Sequence, residues 1–569
     1  MTTDQKPVRK GRKKWWIAGV LGVIPAYFIV AHLPVPPPKL VISRETTYVT
    51  DPVLNPDGTV NYVEWLNRQY SQGVTKENNA AALYIAAFGP DFLKSGPSTL
   101  TGKPLPAGGL YWPRVKVLAL LDMDLPELSS GLQDWDQYAK SHMPAASESA
   151  TRNSSDSRPA PVTVNWAGQG PPPPWFPMPR PTTSFGAAAP TVPDITVYCA
   201  KPWKENENPL LFRYLKDSDE SLGLVVQATR LPRLYLPLVC ADDSPELLGL
   251  FNRAGQFRIA ARALCARAML KAGSGQCQDA WQDVLAANRM ARQVGQHPIL
   301  INRLVAMAIE SLATRAGTGI AISGLLSVGE AQAIQADLAA LEPLDDPEPT
   351  VRVSERLVCL DMFMMLQRGV TVEDVPGERL RIDINEMLRT ANEYLDRQAQ
   401  SKGRSESPSD VVEGKYWRAK TIAYMVGGWP TRKAFSRNMA CLLLTCYMPA
   451  IGRTRVMYKE TRVLNDLETV AFALATYKID HQAYPKNLVE LAPTYMPAVP
   501  NDRFSGKALI YKPQGEGYLL YSVGENGVDD GGRDRYKVVQ GVQGDAGGDD
   551  LVVRCPNPPS TLPATTTAP

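Results

Sequence analysis

The chain has 569 residues, 44% of them apolar and 21% charged, and a formal net charge of +3. That length exceeds a single hydrophobic core and leads us to expect about three to four folded units, while the near-neutral balance leaves no basic footprint for nucleic acid. Four histidines without an HExxH pair and eight cysteines without a CxxC pair argue against a His-rich or Cys-rich metal site.

Residues 1–14 form a basic tail carrying Lys6, Arg9, Lys10, Arg12, Lys13 and Lys14. Residues 15–33, Trp15 to Leu33, carry no Asp, Glu, Lys or Arg. This run of about 19 residues suffices at about 1.5 Å per residue to cross a bilayer. Trp15 and Trp16 sit where an interfacial aromatic belt belongs, and the positive-inside rule places the tail in the cytoplasm. The expectation is a single-pass anchor in the inner (cytoplasmic) membrane with the bulk of the chain periplasmic or extracellular. A kink at Pro25 is tolerated in such a segment. A cleaved signal peptide is the competing reading, but no A-x-A site follows the run.

Residues 34–143 read as a stalk and a helical segment. Pro36-Pro37-Pro38 is a stiff, extended stretch. Asn55, Asp57, Asn61 and Glu64 around Gly58 resemble part of an EF-hand loop, although Val53 occupies the first ligand position. A Pro-Asp-Gly turn opening a helix over Tyr62–Tyr70 accounts for the same residues. Further helical spacing covers Lys76–Phe88, Arg114–Met123 and Leu125–Met143. From 144 to 194, Ser, Thr, Ala and Pro dominate, which marks a disordered or polyproline insertion.

Residues 195–437 carry the pattern of a mainly α-helical body, a bundle or irregular solenoid. Phe257, Ala260, Ala261, Leu264, Ala268 and Met269 define one helix face, Cys277–Val294 a second helix and Ile299–Thr314 a third. Close-spaced alanines permit antiparallel helices to approach, a texture similar to tetratricopeptide packing but without a fixed repeat. Gly317-Thr318-Gly319 lacks phosphate-loop spacing, and interhelical packing accounts for it better. Helices are also expected over Ala331–Leu341, Arg352–Gln367 with its Met362 to Met365 stripe, and Arg379–Gln398. Cys441 and Cys446 read as buried thiols. Cys199, Cys240 and Cys555 are candidates for pairing in an oxidising compartment, with connectivity open.

Residues 438–555 hold the densest concentration of oxygen ligands and turn glycines. A long amphipathic helix with Leu464, Leu467, Val470, Ala471, Leu474 and Tyr477 runs to about Asp480, and Tyr484-Pro485 stops it. A short helix follows over Asn487–Tyr495. Leu509-Ile510-Tyr511 and Tyr518 to Tyr521 read as antiparallel strands joined by a turn over Pro513–Gly517, and Val538-Val539 and Leu551 to Val553 are candidates for more. Residues 556–569 read as a disordered tail.

That order of elements resembles the globular domain of the major, G-type pseudopilin of bacterial type II secretion systems. The family's Leu-Pro-x-Asp-Pro-Trp-Gly loop is matched loosely by Val499 to Gly506. Its Tyr-Ser-Leu-Gly-Ala-Asp-Gly turn is matched closely by Tyr521 to Gly527. Three features depart from the family. There is no prepilin leader with a Gly-Phe cleavage site, the apolar run before Arg453 is only about 13 residues and too short to span a bilayer, and the module follows a large helical body. The resemblance therefore implies a borrowed pilin head rather than a processed filament subunit. It also implies calcium, which the family binds through the loop after the Tyr-Ser strand; here the corresponding residues are Asn526, Asp529, Asp530, Asp549 and Asp550. A solvated acidic loop, partly neutralised by Arg533, Arg535 and Lys537, is the alternative.

The expected architecture is thus α+β: a transmembrane helix, a helical body and a pseudopilin-like domain of one long helix plus a small antiparallel sheet. No GxSxG elbow, Ser-x-x-Lys pattern or metal-hydrolase motif is present, so no catalytic residue or organic cofactor is expected. The leading reading is a non-enzymatic scaffold whose partners are the lipid bilayer and other envelope or secretion proteins, with no nucleic acid. A component of a secretion or pilus-like assembly is the alternative; an extracytoplasmic hydrolase would need a site assembled from scattered residues.

Overall fold

A computed structural model describes residues 38–89, 92, 117, 121, 131–142, 194–239, 254–368, 382–400, 432–447, 449–534 and 548–556. The basic tail, the anchor run, the 144–193 insertion, the 538–539 strand, Cys240 and the tail from 557 lie outside these residues. Among the described residues no helix is long and apolar enough to cross a membrane. The fold is α+β.

The N-terminal part holds α1 (Tyr62–Tyr70), α2 (Ala81–Phe88) and α3 (Trp135–His142). Asn55 to Glu64 form a turn that caps α1. Asp57 Oδ1 accepts from the Thr59 N–H at 2.9 Å, Gly58 has φ +80°, and Asn61 Oδ1 accepts from the Glu64 N–H at 2.9 Å. Each EF-hand-like residue is thereby explained by turn and cap chemistry. Residues 76–78 form a turn and Asn79 bridges to Arg233 where the start of a helix was expected, so α2 begins at Ala81.

The body continues with α4 (Pro209–Asp217), α5 (Asp219–Ala228), α6 (Ala254–Gly273), α7 (Cys277–Gly295), α8 (Leu300–Ala321) and α9 (Val328–Ala340). Alanines bury α6 on nearly every side, from Ala260 through Ala272, so it is the helix enclosed by its neighbours. It packs against α7 and α8, which also pack on each other. Arg267 and Lys271 of α6 clamp the buried Asp283 of α7, with Arg267 Nη2 at 2.8 Å and Lys271 Nζ at 2.7 Å from its carboxylate. Ser327 and Glu330 form a reciprocal capping box that opens α9. Gly317 and Gly319 lie inside α8, which runs past the expected end at Thr314. A Cβ at Gly319 would collide with the Ala200 carbonyl, so close packing requires that glycine, while one at Gly317 would force the Glu468 side chain to shift.

A π-helical turn over Val351–Glu355 leads into α10 (Arg356–Arg368), followed by α11 (Ile384–Gln400), α12 (Arg432–Tyr447) and α13 (Pro449–His481). These elements divide between two apolar cores. Phe363 and Met364 of α10, Met387 and Leu388 of α11, and Ala440 and Leu444 of α12 share one core with Val60 and Leu66 from the N-terminal part. The Leu-rich run before Pro449 therefore packs as an ordinary core helix. Asn385 ties this core to the start of the described chain, accepting from the Val41 N–H at 2.8 Å and donating to the Lys39 carbonyl at 2.9 Å.

The other core contains α2 and α4 to α9, and it continues without a break into α13 and the sheet. The C-terminal sheet has the antiparallel order β1 (Ile510–Gln514), β2 (Gly517–Ser522), β3 (Leu551–Cys555), with Tyr511 opposite Leu520 and Leu520 opposite Val553. All six residues of β2 are buried. The short helix expected over Asn487–Tyr495 is a single 3-10 turn, Leu488–Leu491.

Candidate functional site

The Tyr-Pro stop after α13 is fastened to the sheet by aromatic and polar contacts. The Tyr484 ring meets Tyr518 edge-on with centroids 4.9 Å apart, and its hydroxyl lies 3.2 Å from Cys555 Sγ. Tyr511 donates to the Pro485 carbonyl at 2.9 Å. Cys199 and Cys555 are both free thiols.

Asp502 is the hub of the loop before β1. Its carboxylate is 2% exposed. It accepts from the Ser522 hydroxyl at 2.7 Å, the Phe504 N–H at 2.9 Å, the Ser505 hydroxyl at 2.9 Å and the Val523 N–H at 3.3 Å. Burial works to raise this carboxyl, but those donors outweigh it and hold the group below the usual carboxylate range. The loop from Val499 to Gly506 is thus pinned to the end of β2, where the acidic turn begins. The sequence reading did not single out Asp502, although the Asn-Asp-x-Phe-Ser-Gly spacing is the signal of an Asx turn.

The structure brings all five of the expected ligand residues together. Asp549 Oδ2 accepts from the Asn526 N–H at 3.0 Å, and Asp530 Oδ2 accepts from the Asn526 amide at 3.2 Å and the Asp549 N–H at 2.9 Å. Asp550 accepts from the Gly532 N–H at 2.7 Å and the Asp530 N–H at 3.4 Å. Asp529 Oδ1 takes the Tyr521 hydroxyl at 2.9 Å and the Gly531 N–H at 2.8 Å, and Lys512 Nζ stands 2.8 Å from the Tyr521 oxygen. A Cβ at Gly524 would strike the Asp549 carbonyl, so the two limbs of the turn close on each other at a glycine.

These contacts set the electrostatics. Burial pushes the Asp550 carboxyl up despite its two N–H donors, and the neighbouring Asp530 and Asp529 charges push it the same way. Asp529 is lowered by the Gly531 N–H and Tyr521, and Asp530 by the Asp549 N–H and Asn526. Each carboxylate has at least one oxygen turned to a protein donor, and Asn526 Oδ1 accepts from the Val528 N–H at 2.7 Å. Among the described residues no group of three or more His, Cys, Asp or Glu is placed to hold a metal ion. As folded, this donor set closes a turn through backbone and side-chain donors.

Chemistry that the sequence reading passed over lies where α13 meets the body. Trp281 of α7 meets Phe472 of α13 edge-on, with ring centroids 5.7 Å apart, and donates its indole N–H to Asp337 of α9 at 2.8 Å. Asn465 of α13 donates to Glu310 of α8 at 2.7 Å and accepts from Thr314 at 2.7 Å. Glu310, 1% exposed, is paired with Arg292 of α7 at 2.6 Å. Arg455 makes two 2.6 Å contacts to Glu348 nearer the start of α13. No family model, curated protein or solved structure matches this chain.

Proposed function

We propose that this chain is a membrane-anchored extracytoplasmic scaffold that displays a pseudopilin-like head to other proteins of the bacterial cell envelope. The observation that carries this reading is the junction of one 33-residue helix, α13, with a three-stranded antiparallel sheet through the Tyr484-Pro485 stop. The burial of α13 supports display over polymerisation. Its C-terminal half packs against α8, α9 and the sheet, which leaves that part of the helix little apolar surface to offer neighbouring subunits. The acidic turn that follows β2 offers a polar, structured contact surface.

The test is affinity purification of the tagged full-length chain from cross-linked, detergent-solubilised membranes. Co-purification of envelope proteins outside the secretion machinery is the expected result. Recovery with secretion or pilus components instead would transfer the assignment to an assembly component. Release of the chain by an alkaline carbonate wash would overturn the anchor.

A further inference from the structure

Glu468 stands in the middle of the seam between α13 and the helical body. It is 2% exposed, and its Oε1 has no hydrogen-bond partner. Gly317 of α8 lies against that oxygen so closely that a Cβ there would collide with it. A charged carboxylate in such a place requires a cation or several donors. The guanidinium within reach, Arg292, is already engaged by both oxygens of Glu310, at 2.6 and 3.1 Å. Asn465, the polar neighbour one turn earlier on α13, spends its amide N–H on Glu310 and its oxygen on Thr314.

We propose that Glu468 makes the seating of α13 on the body proton-dependent: the helix docks with this carboxyl neutral, and its ionisation opens the α8–α13 seam. The charged and titratable groups around it are consistent on every packed element. Glu310 from α8 opposes its ionisation, and Arg292 from α7 offsets only part of that effect because it is committed to Glu310. Cys265 from α6 is a buried thiol that feels the Glu468 charge, and Asp337 from α9 is occupied by the Trp281 indole. On α13 itself, Asp466 is paired with Arg503 at 2.5 Å. Burial first, then the Glu310 charge, drive the Glu468 carboxyl well above its ordinary range. The native state therefore binds a proton that the unfolded chain has released. The stability from this group is complete below the ordinary glutamate range and is lost as pH rises toward the folded value.

The test compares the full chain with Glu468→Gln by hydrogen exchange at matched pH, so that intrinsic exchange rates cancel. At pH 5 the amides of 460–475 and 306–317 should be similarly protected in both proteins. From pH 5 to pH 8 the wild type should open more than the variant, by up to about tenfold per pH unit inside the titration window. Parallel pH profiles in the two proteins would overturn the proposal. Glu468→Met is the second variant, an apolar side chain of similar length, and it too should exceed wild-type protection at pH 8. If both variants are less protected than wild type at pH 8, the ionised carboxylate is holding the seam and the proposal fails.

Discussion

Asp502 shows how one side chain organises the head. Four donors from two stretches of chain converge on it, and its depressed carboxyl makes a contribution with a definite pH sign. That stability is present above the ordinary aspartate range and is lost as pH falls through the folded value. Asp502→Asn should cost about 2 kcal/mol at neutral pH, because one oxygen of the acceptor set becomes a donor among donors. In acid denaturation curves the variant should lose the part of the low-pH slope that Asp502 supplies. An unchanged curve would show that the loop is held some other way. Asp550 of the acidic turn carries the opposite sign, since burial and adjacent aspartates favour its protonated form. From sequence these two acids look alike. Their difference arises from the number of donors each fold position supplies.

Among the elements, α13 carries the most consequence. Its sequence shows an amphipathic stripe through Leu464, Leu467, Val470, Ala471 and Leu474, and that stripe is buried as expected. The run Val470 to Ala475 is apolar on every side, and Phe472 and Ala473 are buried as well. Such a run is the mark of a helix enclosed on more than one face, here by the sheet and by the body. The seam is tested through its largest aromatic contact. Phe472→Ala should cost about 3–5 kcal/mol in urea denaturation of the full chain; a loss near zero would mean that the helix does not share the body's core. The Leu-rich segment before Pro449 belongs to α12, which packs against α11, and that pairing depends on residues about fifty positions away in sequence.

For the molecule as a whole, one apolar core runs from the helical body into the sheet, and another gathers α1 and the segment before it with α10, α11 and α12. Composition and length pointed to about three to four units; the described residues bury their apolar side chains in these two clusters. Because head and body share a core, ligand effects belong on the intact chain. The calcium expectation is checked by melting the full-length protein with and without millimolar calcium. The hydrogen-bonded closure of the acidic turn predicts an unchanged midpoint, while a rise of several degrees would show that Asp529, Asp530, Asp549 and Asp550 rearrange around an ion.

Local pattern was enough to place α1, α6, α7, β1, β2 and β3 to within a few residues, because each is written in short-range periodicity, caps and turn glycines. The five residues of the acidic turn, on two segments flanking one stretch of chain, were grouped by the pseudopilin resemblance and not by local pattern. What the pattern could not convey was the partner of each face. Whether Glu468 is a solvated helix residue or a buried acid depends on Gly317, Glu310 and Arg292, all more than a hundred positions away, and whether the turn acids meet a cation or N–H groups depends on how the limbs close at Gly524. Burial and electrostatics are sums over neighbours in space, so the surroundings of Glu468 were decided only when α13 was laid on the body, and those of the turn acids only when the two limbs closed.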